Sequence, residues 1–187
     1  MQNIYEVDID RLTWSAVAAW VVILGVVLKN GIQQAGWGDM IAVISGTPVF
    51  VIGWILVAVA LSKGKTGQIG KQAAIWVSSV VIVVTALAAS AYMSKDEPVP
   101  IAFPILFGLA WLLLGWMSGN TLMGSVVGLM GGLVVIAATV FLLPLQRWYD
   151  VVDGPGMPLY VLGWTLLVFA HSIVGYRAIS GNNNAAY

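Results

Sequence analysis

The chain has no cysteine, one histidine and very little charge: 9% of its 187 residues are Asp, Glu, Lys or Arg. The missing cysteine excludes disulfides, thiolate nucleophiles and cysteine-ligated metals. A lone histidine, His171, cannot build a metal site, and no carboxylate shares its apolar stretch. A soluble domain carries about 25% charged residues, so this chain lacks the polar groups to cover a soluble surface. Eight basic residues balance eight acidic ones, which leaves no basic footprint for nucleic acid. The opening residues, MQNIYEVDIDR, lack the basic n-region of a cleaved signal peptide, so the first apolar stretch is expected to stay as a signal anchor.

What is present is apolar. Hydrophobic residues make up 60% of the chain, and its mean hydropathy is +0.94. Spanning a bilayer as helix takes about 20 apolar residues. Six stretches meet that need, 12–28, 41–62, 72–93, 101–118, 122–145 and 157–177, within a single membrane domain, 1–187. Every Asp, Glu and Lys falls between or outside them, as do Arg11 and Arg147, while Arg177 sits at the end of the last. A charge at the bilayer centre costs about 2.5–3.5 kcal/mol on insertion scales. The fold expected is therefore all-α, a polytopic integral membrane protein with the lipid bilayer as its first partner. Six spans put both termini on one side. That side holds Arg11, Lys63, Lys65, Lys71 and Arg177 and nets +2, against −2 on the other, so positive-inside reasoning places both termini in the cytoplasm.

Two of these stretches repeat one another. Residues 46–62 read GTPVFVIGWILVAVALS and residues 156–172 read GMPLYVLGWTLLVFAHS. They share Gly46/Gly156, Pro48/Pro158, Val51/Val161, Gly53/Gly163, Trp54/Trp164, Leu56/Leu166, Ala60/Ala170 and Ser62/Ser172 without a gap. The match reaches back, across one gap, to Trp37-Gly-Asp39 and Trp148-Tyr-Asp150. Such self-similarity marks a duplicated unit. Pro104 opens a related segment, PILFGLAWLLLGWMSG, in which Gly108 and Trp111 lie near, but not on, the register of the outer copies. Three helical hairpins follow, 12–62, 72–118 and 122–177, the middle one diverged. Two-helix units repeat in one orientation, so the expected architecture is three parallel two-helix repeats in a pseudo-threefold bundle. Residues 180–187, SGNNNAAY, form a polar, flexible tail.

The repeated residues read as packing signals. Pro48, Pro104 and Pro158 suit the first turn of a helix, where the missing N–H has no acceptor to lose. For Pro48, the apolar run Ile41–Ile44 leaves open a longer helix kinked at the proline. Gly53-Trp54 and Gly163-Trp164 lie well inside their spans, where a Trp ring faces protein and the adjacent glycine admits a neighbouring helix. Gly124, Gly128 and Gly132 form a double GxxxG ladder, which lets backbones meet in lipid; this helix is expected to be the most buried, or a protomer contact.

Little chemistry is on offer. His171 aligns with Leu61, near the cytoplasmic interface, and reads as a satisfied interfacial histidine. Asp39 and Asp150 recur in equivalent outer loops and could form a pore mouth attracting cations, although such residues more often cap turns. Lys63-Gly-Lys65-Thr-Gly-Gln-Ile-Gly-Lys71 lacks the GxxxxGK[ST] order of a phosphate loop and reads as a short basic cytoplasmic loop that could touch anionic lipid. No catalytic or cofactor pattern is present, so no enzyme and no cofactor are expected.

The Pro-x-x-x-x-Gly-Trp helices at 46–62 and 156–172 look similar to small polytopic proteins of large DNA viruses that carry an internal membrane. The tryptophan-rich helices also resemble the translocator/tryptophan-rich sensory protein family, which has five helices and a different Trp-Pro arrangement. Mitochondrial carriers share three two-helix repeats, but theirs carry a charged Pro-x-Asp/Glu-x-x-Lys/Arg signature that is missing here. The function expected is that of a non-enzymatic structural or assembly component, packing with other membrane proteins or with its own copies. The alternative is a small channel or transporter lined by Ser78, Ser79, Thr85, Ser90, Ser125, Thr139 and Thr165.

Overall fold

The computed structural model describes residues 4–34, 39–63, 65, 67–93, 98–142 and 156–176. Among the described residues, six α-helices lie between two short strands: β1 (Ile4–Val7), α1 (Ile9–Gln34), α2 (Asp39–Ser62), α3 (Ile69–Met93), α4 (Ala102–Ser118), α5 (Leu122–Leu142), α6 (Gly156–Ser172) and β2 (Ile173–Tyr176). Within α1, α2, α3 and α5 lie four segments long and apolar enough to cross a membrane; α4 and α6 are shorter apolar helices.

Each helix buries one face at helical spacing. On α1 it is Ser15, Ala18, Ala19, Val22 and Ile23; on α3, Ile75, Ser78, Ser79, Ile82 and Thr85; on α4, Ala110, Trp111, Leu114 and Ser118. The opposite faces carry large apolar side chains in the open, among them Trp20, Leu24, Ile52, Val59, Val77, Val84, Leu109 and Leu133. A soluble protein rarely leaves so much contiguous apolar surface uncovered, whereas lipid accepts it. Helices therefore associate here by close packing rather than by escape from water.

Each helix packs on its neighbours in sequence, and α6 closes on α1, so the six form a ring. Neighbours run antiparallel: α1 meets α2 at Gly25–Phe50 and Val22–Gly53, and α5 meets α6 at Gly124–Ala170 and Gly131–Gly163. The even-numbered helices α2, α4 and α6 supply the centre. Each odd-numbered helix lies against two of them: α1 on α2 and α6, α3 on α2 and α4, α5 on α4 and α6. Strands β1 and β2 pair antiparallel, from Ile4 opposite Tyr176 to Val7 opposite Ile173, which fixes both ends of the described chain at one end of the bundle. The Asp8 N–H extends the pairing by donating to the Ser172 carbonyl.

Two sequence expectations change. The last apolar stretch, 157–177, is not one helix: α6 stops at Ser172, and Ile173-Val174-Gly175-Tyr176 becomes a strand. The β-branched pair suits a strand, and β1 offers it a partner that hydropathy does not reveal. Pro48 lies in the interior of α2 rather than its first turn, because the apolar run before it continues the helix. Pro104 and Pro158 keep their first-turn places in α4 and α6. The 180–187 tail, Trp37 and the Trp148–Asp150 run lie outside the described residues.

Candidate functional site

The centre of the ring is a cluster of three indoles. Trp54 of α2, Trp111 of α4 and Trp164 of α6 are almost fully buried. Their ring centroids lie 5.4 Å (Trp54–Trp111), 5.3 Å (Trp54–Trp164) and 5.2 Å (Trp111–Trp164) apart. The interplanar angles of 72° (Trp54–Trp111) and 82° (Trp111–Trp164) place positive ring edges against negative faces, the arrangement aromatic quadrupoles favour, while Trp54 and Trp164 are tilted at 52°. One turn earlier on each helix stands another aromatic ring, Phe50, Phe107 or Tyr160, at 6.4, 6.2 and 6.3 Å from its tryptophan. Among the described residues, none of the three indole N–H groups has a partner at hydrogen-bond geometry. The tryptophans fill space at a cost, since an unmet buried donor is worth about 1–3 kcal/mol against the fold.

Glycines let the helices come close enough for the indoles to touch. A Cβ placed on Gly53 would stand 2.6 Å from the Val22 nitrogen, and one on Gly163 would stand 2.5 Å from Val135 Cγ2. The GxxxG ladder of α5 is used within the chain: Gly124 faces the Ala170 carbonyl of α6, while Gly128 and Gly132 face the Gly115 and Trp111 carbonyls of α4. The span on α5 is the most buried of the four long ones. The packing residues read from sequence, Gly53, Trp54, Gly124, Gly128, Gly132, Gly163 and Trp164, thus all lie at helix–helix contacts.

Two turns below the indoles, α2, α4 and α6 end in a polar floor. The positions seven residues after each tryptophan are Leu61, Ser118 and His171. Lys65, from the segment between α2 and α3, folds back beneath them and is fully buried. Its Nζ donates to the Leu61 carbonyl at 2.8 Å and to the Ser118 carbonyl at 2.9 Å. His171 Nδ1 approaches that same Ser118 carbonyl at 3.3 Å, and Asn120 Nδ2 donates to the His171 carbonyl at 2.7 Å. A carbonyl only accepts, so the His171 proton sits on Nδ1 and Nε2 carries a lone pair. Nε2 is buried without a partner. Gly67, at φ +82°, supplies the left-handed turn that follows Lys65.

This floor departs from the sequence reading in two respects. The 63–71 segment is not uniformly a solvated basic loop: Lys63 stays exposed, with Nζ 4.9 Å from the Trp14 ring centre, but Lys65 points inward. His171 does lie at the end of its helix, but it is buried in protein with one of two nitrogens satisfied. Composition gives no sign of either, since the acceptor they share, the Ser118 carbonyl, is backbone from another helix.

The hydroxyl groups read as a possible pore lining mostly bond back into their own helices: Ser79 to Ile75, Thr85 to Val81, Thr139 to Val135 and Thr165 to Val161. Ser90 instead meets Lys29 Nζ at 2.6 Å, across α1 and α3. Asp150 and the side chain of Asp39 lie outside the described residues, so the pore mouth is not placed. Among the described residues, no three metal-ligating side chains come together.

Two apolar crevices open outward, one between α2 and α3 over Trp54, Trp76 and Val80, the other between α6 and α1 over Trp164, Trp20 and Phe169. The corresponding seam between α4 and α5 is the one drawn together by Gly115, Gly128 and Gly132. No family model, no curated protein and no solved structure matches the chain.

Proposed function

We propose that this chain is a six-span membrane protein of three parallel two-helix units, serving as a non-enzymatic structural or assembly component. The observation that carries the reading is the tryptophan cluster: the axis a solute would follow is occupied by three indoles in mutual contact. The three-unit architecture draws support from each even-numbered helix giving the centre one tryptophan, with an aromatic ring four residues before it. It places Trp111 as the counterpart of Trp54 and Trp164, one residue farther from its proline than they are from theirs. Helices α4 and α6 have 17 residues each, about 26 Å of helix at 1.5 Å per residue, at the lower bound for crossing a hydrocarbon core. Both termini are placed in the cytoplasm, and the partners are lipid, other membrane proteins or further copies of the chain, met by the exposed apolar faces.

Reconstitution into liposomes tests the reading. The expected result is no ion or small-solute flux above that of empty vesicles, and co-purification of a fixed set of membrane proteins from native membrane. Saturable flux whose rate changes when Trp111→Ala opens the axis would sink the structural role and leave the transporter.

A further inference from the structure

Lys65 is unusual on geometry alone. It is the only lysine or arginine that is fully buried among the described residues, and the structure gives its amine two acceptors, the carbonyls of Leu61 and Ser118. A neutral amine has two N–H donors, and both are used. An ammonium has three, and the third finds no acceptor among the described residues. The charges around it disfavour the proton as well. Arg11 on α1, itself tied to Asp8 at 3.0 Å, and Lys71 on α3 are cations, while the imidazole that comes from α6, His171, is neutral. On α4 the facing group is a neutral serine, α5 carries no charged residue, and Glu6 on β1 is exposed. We propose that Lys65 is a proton-operated bolt: as a neutral amine it ties the end of α2 to the end of α4 beneath the tryptophans, and protonation drives it out to water and frees those ends. The device stands whether the chain is a structural component or a transporter.

Burial, aided by the charges of Lys71 and Arg11, pushes the Lys65 amine from its ordinary 10.5 down to about 7. The open form, with the side chain in water, therefore binds more protons than the closed form between those values. The closed form gains stability as pH rises across that window and is indifferent to pH below it. The opening equilibrium shifts by up to about tenfold per pH unit within the window, the linkage limit for one proton.

Because the chain has no cysteine, single-cysteine reporters are clean. Ser118→Cys is at the residue whose carbonyl the bolt holds, and Gln68→Cys, at an exposed position, corrects for thiol ionisation. Each is labelled with a water-soluble methanethiosulfonate cation in the full-length protein in nanodiscs. The ratio of rates, Ser118→Cys over Gln68→Cys, is expected to rise by about tenfold or more from pH 9 to pH 7 and to level off below. Adding Lys65→Met should make the ratio independent of pH, whereas His171→Phe should leave its dependence intact. A ratio flat with pH in the Lys65 background overturns the proposal. So does a dependence that survives Lys65→Met or vanishes in His171→Phe, since the histidine would then be the switch. If Lys65→Met does not fold, the unfolding temperature of the unaltered protein decides: it should fall from pH 9 to pH 7, and a value constant across that interval overturns the bolt.

Discussion

Two levels of the bundle, two turns apart on the same three helices, are built on opposite plans. At the upper level α2, α4 and α6 each contribute a tryptophan, and three like rings close on one another. At the lower level the same helices contribute a leucine, a serine and a histidine, and a lysine from outside the helices completes the set. The upper level is held by shape and leaves three N–H groups unmet; the lower is held by directed hydrogen bonds to helix-end carbonyls. On the three-unit proposal, duplication accounts for the first, and the second is where the units diverge, because only there does one copy do what the others cannot.

The contrast can be broken most severely at the glycines that let both levels form. Gly128→Leu drives a side chain into the Gly115 carbonyl and Ser118 Oγ and should abolish monodisperse protein on size exclusion. Gly70→Leu, which meets open space, should leave the elution profile unchanged. Trp111→Ala removes one of three rings and should cost about 3–5 kcal/mol, the usual toll of emptying an aromatic core site, read by chemical denaturation in detergent; Trp164→Ala should cost the same if the level is truly threefold. Lys65→Met acts on the lower level only and should cost about 1–3 kcal/mol at pH 9, by taking the amine from the Leu61 carbonyl and leaving the Ser118 carbonyl to His171 alone. The smallest effect belongs to Trp54→Phe. It deletes a donor that already lacks an acceptor, so stability should change by less than about 1 kcal/mol, as lost packing and a relieved polar group offset one another.

The upper level was legible because hydropathy and the repeat both act through side-chain type. Gly53-Trp54 and Gly163-Trp164 stand out as a repeated pair deep in apolar runs, and the α5 ladder announces a close approach by its spacing. Trp111 was harder, since one extra residue after Pro104 shifts its register in sequence but not its place in space. The lower level was not legible. Lys65 looks like Lys63 in the chain, and what separates them is a carbonyl on α4 that only the closed ring brings near. Strand β2 was hidden for a similar reason: its partner, β1, lies at the other end of the chain.

That pairing of β1 with β2 has a consequence for synthesis. Helices α1 and α2 can pack as soon as both have entered the membrane, but the seam between α6 and α1 cannot close until β2 has been made. At translation rates of about 5–20 residues per second, residues 4–7 wait on the order of 10–30 s for residues 173–176. Through that interval the inner face of α1, with Ala16, Ala19 and Ile23, stays open to any helix that passes.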